Sequence, residues 1–390
     1  MTTLSDIILP SALLTVDNTK TVTNKAISGA SNTITNLNAS NLSSGTVATA
    51  RLASGTASSS TYLRGDQTWA AAGLNYFSEA ESTASPNNTV YVDSLSATGA
   101  TTDVDVALVA KGSGATLAQI PDGTVAGGDK RGQYATDWGK ERSASSYVAS
   151  GNQSTVSGGY NVRASGTGST VSGGYTNGAS GSYATVIGGR SNVNATGTYS
   201  TAGGYSSNAL GYSSVSIGFA CTADNYHSVS LGYYADSKSR PSCFSFGGYN
   251  RGDSFHPFQS SLMNVAAQTT DATPTYLSGY NSDSTAYWNR LDANSAVAFR
   301  ITLIGHVTGA GDTKAWEFYG AVKQGASAST CALVGAVTKN IIAADSGASS
   351  WDADVVVDST TTGAFTVQVT GAASTTIRWN ASIYTSESEY

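Results

Sequence analysis

"STVSGGYNVRASGTGSTVSGGY", residues 154–175, contains the heptapeptide STVSGGY twice, fifteen positions apart, with no acid and no histidine. The spacing persists in both directions. One glycine column runs Gly159, Gly174, Gly189, Gly204, Gly218, Gly232 and Gly247, in steps of 15, 15, 15, 14, 14 and 15 residues. A second runs Gly151, Gly166, Gly181, Gly197 and Gly211. Asn225 falls where its next glycine is due, the substitute expected where positive φ is needed. Two residues ahead of the second column stand Ala149, Ala164, Ala179, Ala195, Ala209 and Ala223. Three ahead of the first stand Val156, Val171, Val186, Thr201, Val215, Val229 and Phe244. Each unit therefore offers two very short strands, two glycine corners, and one small and one branched apolar side chain to point inward. A single unit cannot bury that surface, whereas stacked units pair backbone to backbone at about 4.8 Å. The period predicts a parallel β-roll over 144–250, of about seven rungs and roughly 35 Å, with Gly159, Gly174, Gly189, Gly204, Gly218 and Gly232 at its corners. A disordered Gly/Ser linker would not keep apolar columns in register.

The whole chain has the composition of short strands and turns. Among its 390 residues, 43 are glycine and only 12% are charged, about half the usual ~25%. The net charge of −6 argues against nucleic acid or an anionic membrane as partner. Cys221, Cys243 and Cys331 are too few and too scattered for a disulfide framework, which fits synthesis in a reducing compartment. The opening "MTTLSDIILPSALLTVDNTK" has Asp6 where a secretory signal carries basic residues, and Pro10 cuts its apolar run, so no signal peptide is expected. No stretch approaches the ~18 apolar residues of a membrane span.

The flanks differ from the roll. Residues 1–75 are polar and of low complexity, as in "NTITNLNASNLSSGTVATARLASG", with too little apolar area to fold alone. They read as an attachment arm or shaft. Residues 76–143 carry the alternating runs "NTVYVDSL" and "DVDVALVAKG", which predict a small β domain and a connector. Residues 251–390 hold four of the six tryptophans and longer alternating strands. Val297, Phe299, Ile301 and Leu303 share one face. Trp316, Phe318 and Val322 share another, opposite Glu317, Tyr319 and Lys323. Phe365, Val367 and Val369, and then Ile377, Trp379 and Ile383, repeat the pattern. About eight such strands predict an antiparallel sandwich of jelly-roll type.

At "SVSIGFACTADNYHSVSLGYYADS" the pattern resembles the head repeats of YadA-like trimeric autotransporter adhesins. Val215, Ile217, Gly218 and Ala223 fill the repeat positions in one unit, and Val229, Leu231 and Gly232 in the next. The early units carry Gly158, Gly173, Gly188 and Gly203 where that family has Ile or Leu. "TVTNKAISGASNTITNLNASNLSSGTVATARL" and "STYLRGDQTWA" are similar to the N-terminal regions of bacteriophage tail fibres. So is the tract "DVALVAKGSGATLAQIPDGTVAGGDKRGQYATDW" leading into the repeats. These resemblances imply an all-β, elongated homotrimeric fibre with a left-handed parallel β-roll. They also imply a virion location, contact with the phage tail or baseplate through the N-terminus, and a C-terminal tip that meets a bacterial surface glycan or outer-membrane receptor.

Few residue patterns point to chemistry. Glycoside hydrolysis needs two carboxylates about 5–10 Å apart, and between Ala144 and Ala235 the one acid is Asp224. Asp283, Asp292, Asp312, Glu317, Asp352 and Asp354 read as scattered loop acids. A chain without enzymatic activity, cofactor or metal is therefore expected. His227, His256 and His306 lack metal-ligand spacing, and "GTVAGGDKRG" lacks the Lys-Ser/Thr of a phosphate loop. Tyr160, Tyr175, Tyr205, Phe219 and Tyr233 form an aromatic ladder behind the first glycine column, broken at Arg190. For receptor contact the residues favoured are Tyr287, Trp288, Tyr319 and Trp351 of the tip. The function expected is host attachment as a trimeric, non-enzymatic tail fibre, the alternatives being a polysaccharide-degrading tailspike or a purely structural virion protein.

Overall fold

The structure, a computed structural model, describes residues 107–389 apart from 192, 249–257, 280–287 and 310, together with short pieces between 52 and 97. Contacts divide the chain into two units, Met1–Ala107 and Leu108–Tyr390. In the first, Thr61–Leu63 pairs antiparallel with Trp69–Ala71, and Phe77–Ser82 with Val92–Ala97. No α-helix occurs among the described residues, only the 3₁₀ turns Ala328–Thr330 and Ser346–Ala348.

In the second unit the repeats build a β-solenoid with two parallel ladders. One is a 5-stranded sheet of two-residue strands from Arg163–Ala164 to Thr222–Ala223. Ala149, Ala164, Ala179, Ala195, Ala209 and Ala223 line its inner side and are fully buried. The other ladder starts at Thr116–Leu117 and continues through Thr136–Asp137, Thr155–Val156, Thr170–Val171, Thr185–Arg190, Thr201–Tyr205, Val215–Phe219, Val229–Tyr233 and Cys243–Gly247. The solenoid thus begins well before residue 144. Its first rungs lack the repeat and carry Asp137 in the inward column, level with Leu117 and Val156. Arg131 meets that buried carboxylate at 2.6 Å. Arg142 closes the same end, donating to the carbonyls of Ala126 and Gly139.

The first-column glycines Gly159, Gly174, Gly189, Gly204, Gly218 and Gly232 all take positive φ, between +94° and +143°. Non-glycine residues with positive φ follow each column by two positions: Asn161, Thr176, Ser191, Ser206, Ala220 and Tyr234 after the first, and Gln153, Tyr183, Tyr199, Ser213 and His227 after the second. At Gly204 an added Cβ would lie 2.0 Å from the Gly218 carbonyl oxygen, at Gly218 2.0 Å from that of Gly232, and at Gly197 1.9 Å from that of Gly211. Each column is therefore a line of contact between successive rungs, where a side chain has no room. Asn225 ends the second column without positive φ, and its Nδ2 donates to the Ser239 carbonyl at 2.6 Å.

The paired glycines of the early rungs change which side chains face in. Val156, Val171 and Val186 are buried, and each stands three positions ahead of its column glycine, one more than the inward residue of the later rungs. Gly158, Gly173 and Gly188 take up the additional residue at φ of +132°, +130° and +122°. The register shifts between Val186 and Gly189, so Val186 pairs with Ala202. The inward column then continues through Ser216, Ser230 and Ser245, all fully buried. A slip of one residue turns a strand's faces over. Thr201, Val215, Val229 and Phe244, expected inward, therefore face outward and are half-buried. Ile217, Leu231 and Phe246 stand beside them on that outer face.

The last solenoid strand, Cys243–Gly247, pairs antiparallel with Gln259–Thr269, so the same sheet runs on into the tip. There it adds Ile377–Glu389, Ser295–Val307 and Thr313–Gln324 in that spatial order. A 4-stranded sheet centred on Ala364–Thr370 covers one face. The core between them holds Trp316, Trp351, Trp379, Phe299 and Phe365. Phe299 and Phe365 meet across it with ring centroids 5.1 Å apart. The inward faces of these strands are those expected from their alternation.

Candidate functional site

The aromatic ladder of the roll keeps its backbone register. Tyr160, Tyr175, Arg190, Tyr205, Phe219 and Tyr233 pair in register from rung to rung. Tyr160 and Tyr175 stack at 5.1 Å, Tyr205 and Phe219 at 4.8 Å, and Phe219 and Tyr233 at 5.0 Å. Arg190 interrupts the run of rings, though its guanidinium lies 5.5 Å over the Tyr175 ring. A second stack joins Tyr183 to Tyr199 at 5.3 Å. Near-parallel stacking uses the ring faces, each pair contributing about 0.5–1.5 kcal/mol. Inner rings present edges and hydroxyls to solvent and have no face left for a sugar. The ladder stiffens the solenoid.

An ionic cluster forms where roll meets tip. Arg240 is fully buried and holds Glu387 at 2.5 Å and 3.0 Å, while its Nε donates to the Arg290 carbonyl at 2.9 Å. Lys238 lies 3.1 Å from Asp292 and 3.2 Å from Glu387, and also pairs with Glu389. Burial alone would raise Glu387, but Arg240, Lys238 and Ser261 hold it below the usual carboxylate range. Asp236 behaves oppositely. Burial pushes it up to about 6, against the hydrogen bond from the Lys238 N–H, and the nearby charges of Asp224 and Asp292 add to the rise. Asp224 accepts from Ser237, Ser239 N–H and the Ser239 hydroxyl at 2.5, 2.8 and 2.7 Å. Two neighbouring carboxylates thus differ in environment: one is richly hydrogen-bonded, the other desolvated. General acid–base chemistry uses that contrast.

The third region is the outward face of the tip sheet. Arg300 pairs across the strands with Tyr384 on one side and Tyr319 on the other. Tyr384 is 50% exposed and Tyr319 38%, and the Arg300 guanidinium lies 5.8 Å from the Tyr319 ring centroid. Glu317 takes both Arg300 Nε at 2.8 Å and Nη2 at 2.5 Å. The Tyr319 hydroxyl and Arg300 together hold Glu317 below the usual carboxylate range. In the adjoining row Asn264, Ser382 and Thr302 follow in register, with Ser382 donating to Asn264 at 2.9 Å.

Of the described tip residues favoured for receptor contact, the structure exposes Tyr319 alone. Trp288 and Trp351 are 4% and 2% exposed, and Trp351 packs edge-on to Trp379 at 5.6 Å. Both belong to the interior because they lie on or beside inward positions of paired strands. Tyr287 lies outside the described residues. Arg300 and Tyr384 were missed, although their alternation with Phe299, Ile301 and Ile383 marks them as outward.

No family model matches the chain, and no curated protein matches it. The solved structures similar to it include two phage tailspikes. One is the tailspike protein gp49 of Acinetobacter baumannii bacteriophage Fri1, a capsular polysaccharide depolymerase. It shares 10% identity over 59% of this chain and 40% of its own, at a TM-score of 0.20. The other is the tailspike protein of Acinetobacter phage vB_ApiP_P1, with 8% identity over 60% of this chain and 55% of its own, at a TM-score of 0.15. This chain therefore spans only about half the length of each, and likenesses so distant assign no function by themselves. Against the expectation of a chain without enzymatic activity stands one finding, that the first of these proteins is a capsular polysaccharide depolymerase. Asp236 stands one residue past the acid-poor stretch that ends at Ala235.

Proposed function

We propose that this chain is a bacteriophage tail protein that attaches the virion to a polysaccharide on the bacterial surface. The observation that carries the reading is the single sheet running from a stiff solenoid into a tip whose outer face presents aromatic, guanidinium and amide groups. A rigid spacer ending in such a face suits adhesion at a distance from the particle. The N-terminal resemblance to tail fibres supports attachment to the tail at that end. The chain acts as a homotrimer, its tip closed as a jelly roll and its solenoid of the YadA-head kind. The support for trimerisation is the outward stripe of Val215, Ile217, Val229, Leu231, Phe244 and Phe246, an apolar face that a monomer would leave against water. Three tips per fibre turn weak contacts into firm adhesion.

A second reading, cleavage of the same polysaccharide, is favoured by one observation. Burial raises Asp236 to about 6 near Asp224, a carboxylate that accepts three hydrogen bonds, and glycoside hydrolysis uses two carboxylates in unlike environments. One experiment addresses both. The purified full chain is incubated with intact host cells and with their extracted surface polysaccharide. Retention on cells is expected, and cells stripped of polysaccharide should not retain it. Equal retention on stripped cells would overturn the attachment reading, and unshortened polysaccharide would overturn cleavage.

A further inference from the structure

We propose that the row Tyr384–Arg300–Tyr319, with Glu317, Thr302 and Asn264 beside it, is the subsite that holds neutral sugar residues of the host polysaccharide. The inference rests on the attachment reading above and names the place and chemical class of the contact. Cross-strand neighbours sit about 4.8 Å apart, so the two phenols flank the guanidinium over about 10 Å, the length of a short oligosaccharide. Both tyrosines keep much of their surface open. Unlike the rings of the roll, they are separated by Arg300 rather than stacked on each other. Sugar C–H faces pack on such rings, while hydroxyls need donors and acceptors close by. The adjoining row supplies them in the Thr302 hydroxyl, the Asn264 amide and the Glu317 carboxylate.

Charge decides the class of sugar. Glu317 takes two donors of Arg300, so the cation at the centre is already neutralised. An acidic sugar would have to displace Glu317 and leave its carboxylate facing like charge. A neutral sugar can hydrogen-bond to the ion pair as it stands. The occupant is also distinguished from a second copy of this chain. The apolar stripe of the roll reaches Leu262, which pairs with Tyr384, and beyond it the same face also bears Glu317, Thr302, Asn264 and Asn380, polar and acidic groups unlike the apolar centre of a permanent protein interface.

The test uses the full chain and an array of immobilised bacterial surface polysaccharides, some neutral and some acidic. Wild type, Arg300→Ala, Tyr384→Ala and the roll variant Tyr199→Ala are compared, each with its unfolding midpoint and its mass in solution. Wild type and Tyr199→Ala should be retained on neutral members, with Arg300→Ala and Tyr384→Ala weakened at least tenfold at unchanged midpoint and mass. Equal binding by all four proteins overturns the subsite while leaving attachment intact. Retention on acidic members alone overturns the assigned class. Loss of binding together with a fall in mass makes the row a contact between copies and overturns the proposal. No retention of wild type on any member, or on intact host cells, overturns the attachment reading and the subsite with it.

Discussion

Replacing Asp236 by Asn isolates the cost of a carboxylate at the junction of roll and tip. Burial raises this group from 3.8 to about 6, so the folded chain holds its proton more tightly than the unfolded chain does. Below about pH 4 both states are protonated and the group contributes nothing to the pH dependence. Between about pH 4 and 6 unfolding releases the proton, so stability falls as the pH rises. Above about pH 6 the full penalty stands. A gap of about 2 pH units at 1.36 kcal/mol each makes that penalty ~3 kcal/mol, an upper figure because part of the side chain still touches water. Asparagine cannot ionise, yet it keeps the Oδ1 acceptor for the Lys238 N–H, 2.7 Å away. D236N should therefore match wild type at pH 4 and exceed it at pH 8. At about 2 °C per kcal/mol for a chain of this size, its unfolding midpoint at pH 8 should rise by roughly 6 °C. Scanning calorimetry of both proteins at the two pH values reads the difference directly. A D236N that is no more stable than wild type at pH 8, or that differs from it equally at both pH values, would refute the reasoning. If Asp236 also serves in cleavage, the stabilised variant will have lost chain shortening.

Two further outcomes follow from the packing. Gly204→Ala places a methyl group 2.0 Å from the Gly218 carbonyl at a φ of +103°, and should cost 3 kcal/mol or more (about the scale of core overpacking plus backbone strain) in thermal unfolding. Gly178→Ala, whose nearest neighbour is 3.4 Å away, should cost under about 1 kcal/mol and serves as control. Leu231→Asp puts a charge on the outward stripe without touching the inward serines, so circular dichroism should hold while light scattering shows a single chain instead of three.

The solenoid was legible because its constraint is local and repeats. A Cβ at Gly189, Gly204 or Gly218 collides with the next rung, so glycine recurs at each turn regardless of what else varies. The tip strands were legible for a similar reason, since "AVAFRITLIG" alternates without interruption and its inward residues are those found buried. The face of the later rungs was not. "VSIG" and "VSLG" read as apolar residues around a thin core, yet the core holds their serines. Apolar alternation shows that one face is covered but not whether the cover is the same chain or another. The register shift at Gly188 that decides it is a backbone event. The early rungs were hidden by Asp137, whose partner Arg131 is what allows an acid in the core column. The junction cluster was beyond reach for a different reason: Arg240 and Glu387 are 147 residues apart, and no spacing along the chain connects them. At the tip, strand alternation rather than aromatic character decides the face: Trp288 and Trp351 are buried, while Arg300 and Tyr384, alternating with Phe299, Ile301 and Ile383, are exposed.

Host attachment is tested most directly by competition for infection. Bacteria are pre-incubated with the purified full chain and then challenged with the phage that carries it. Plaque counts should fall in proportion to the protein bound, and R300A at the same concentration should protect far less. Undiminished plaques at saturating wild-type protein would contradict the account.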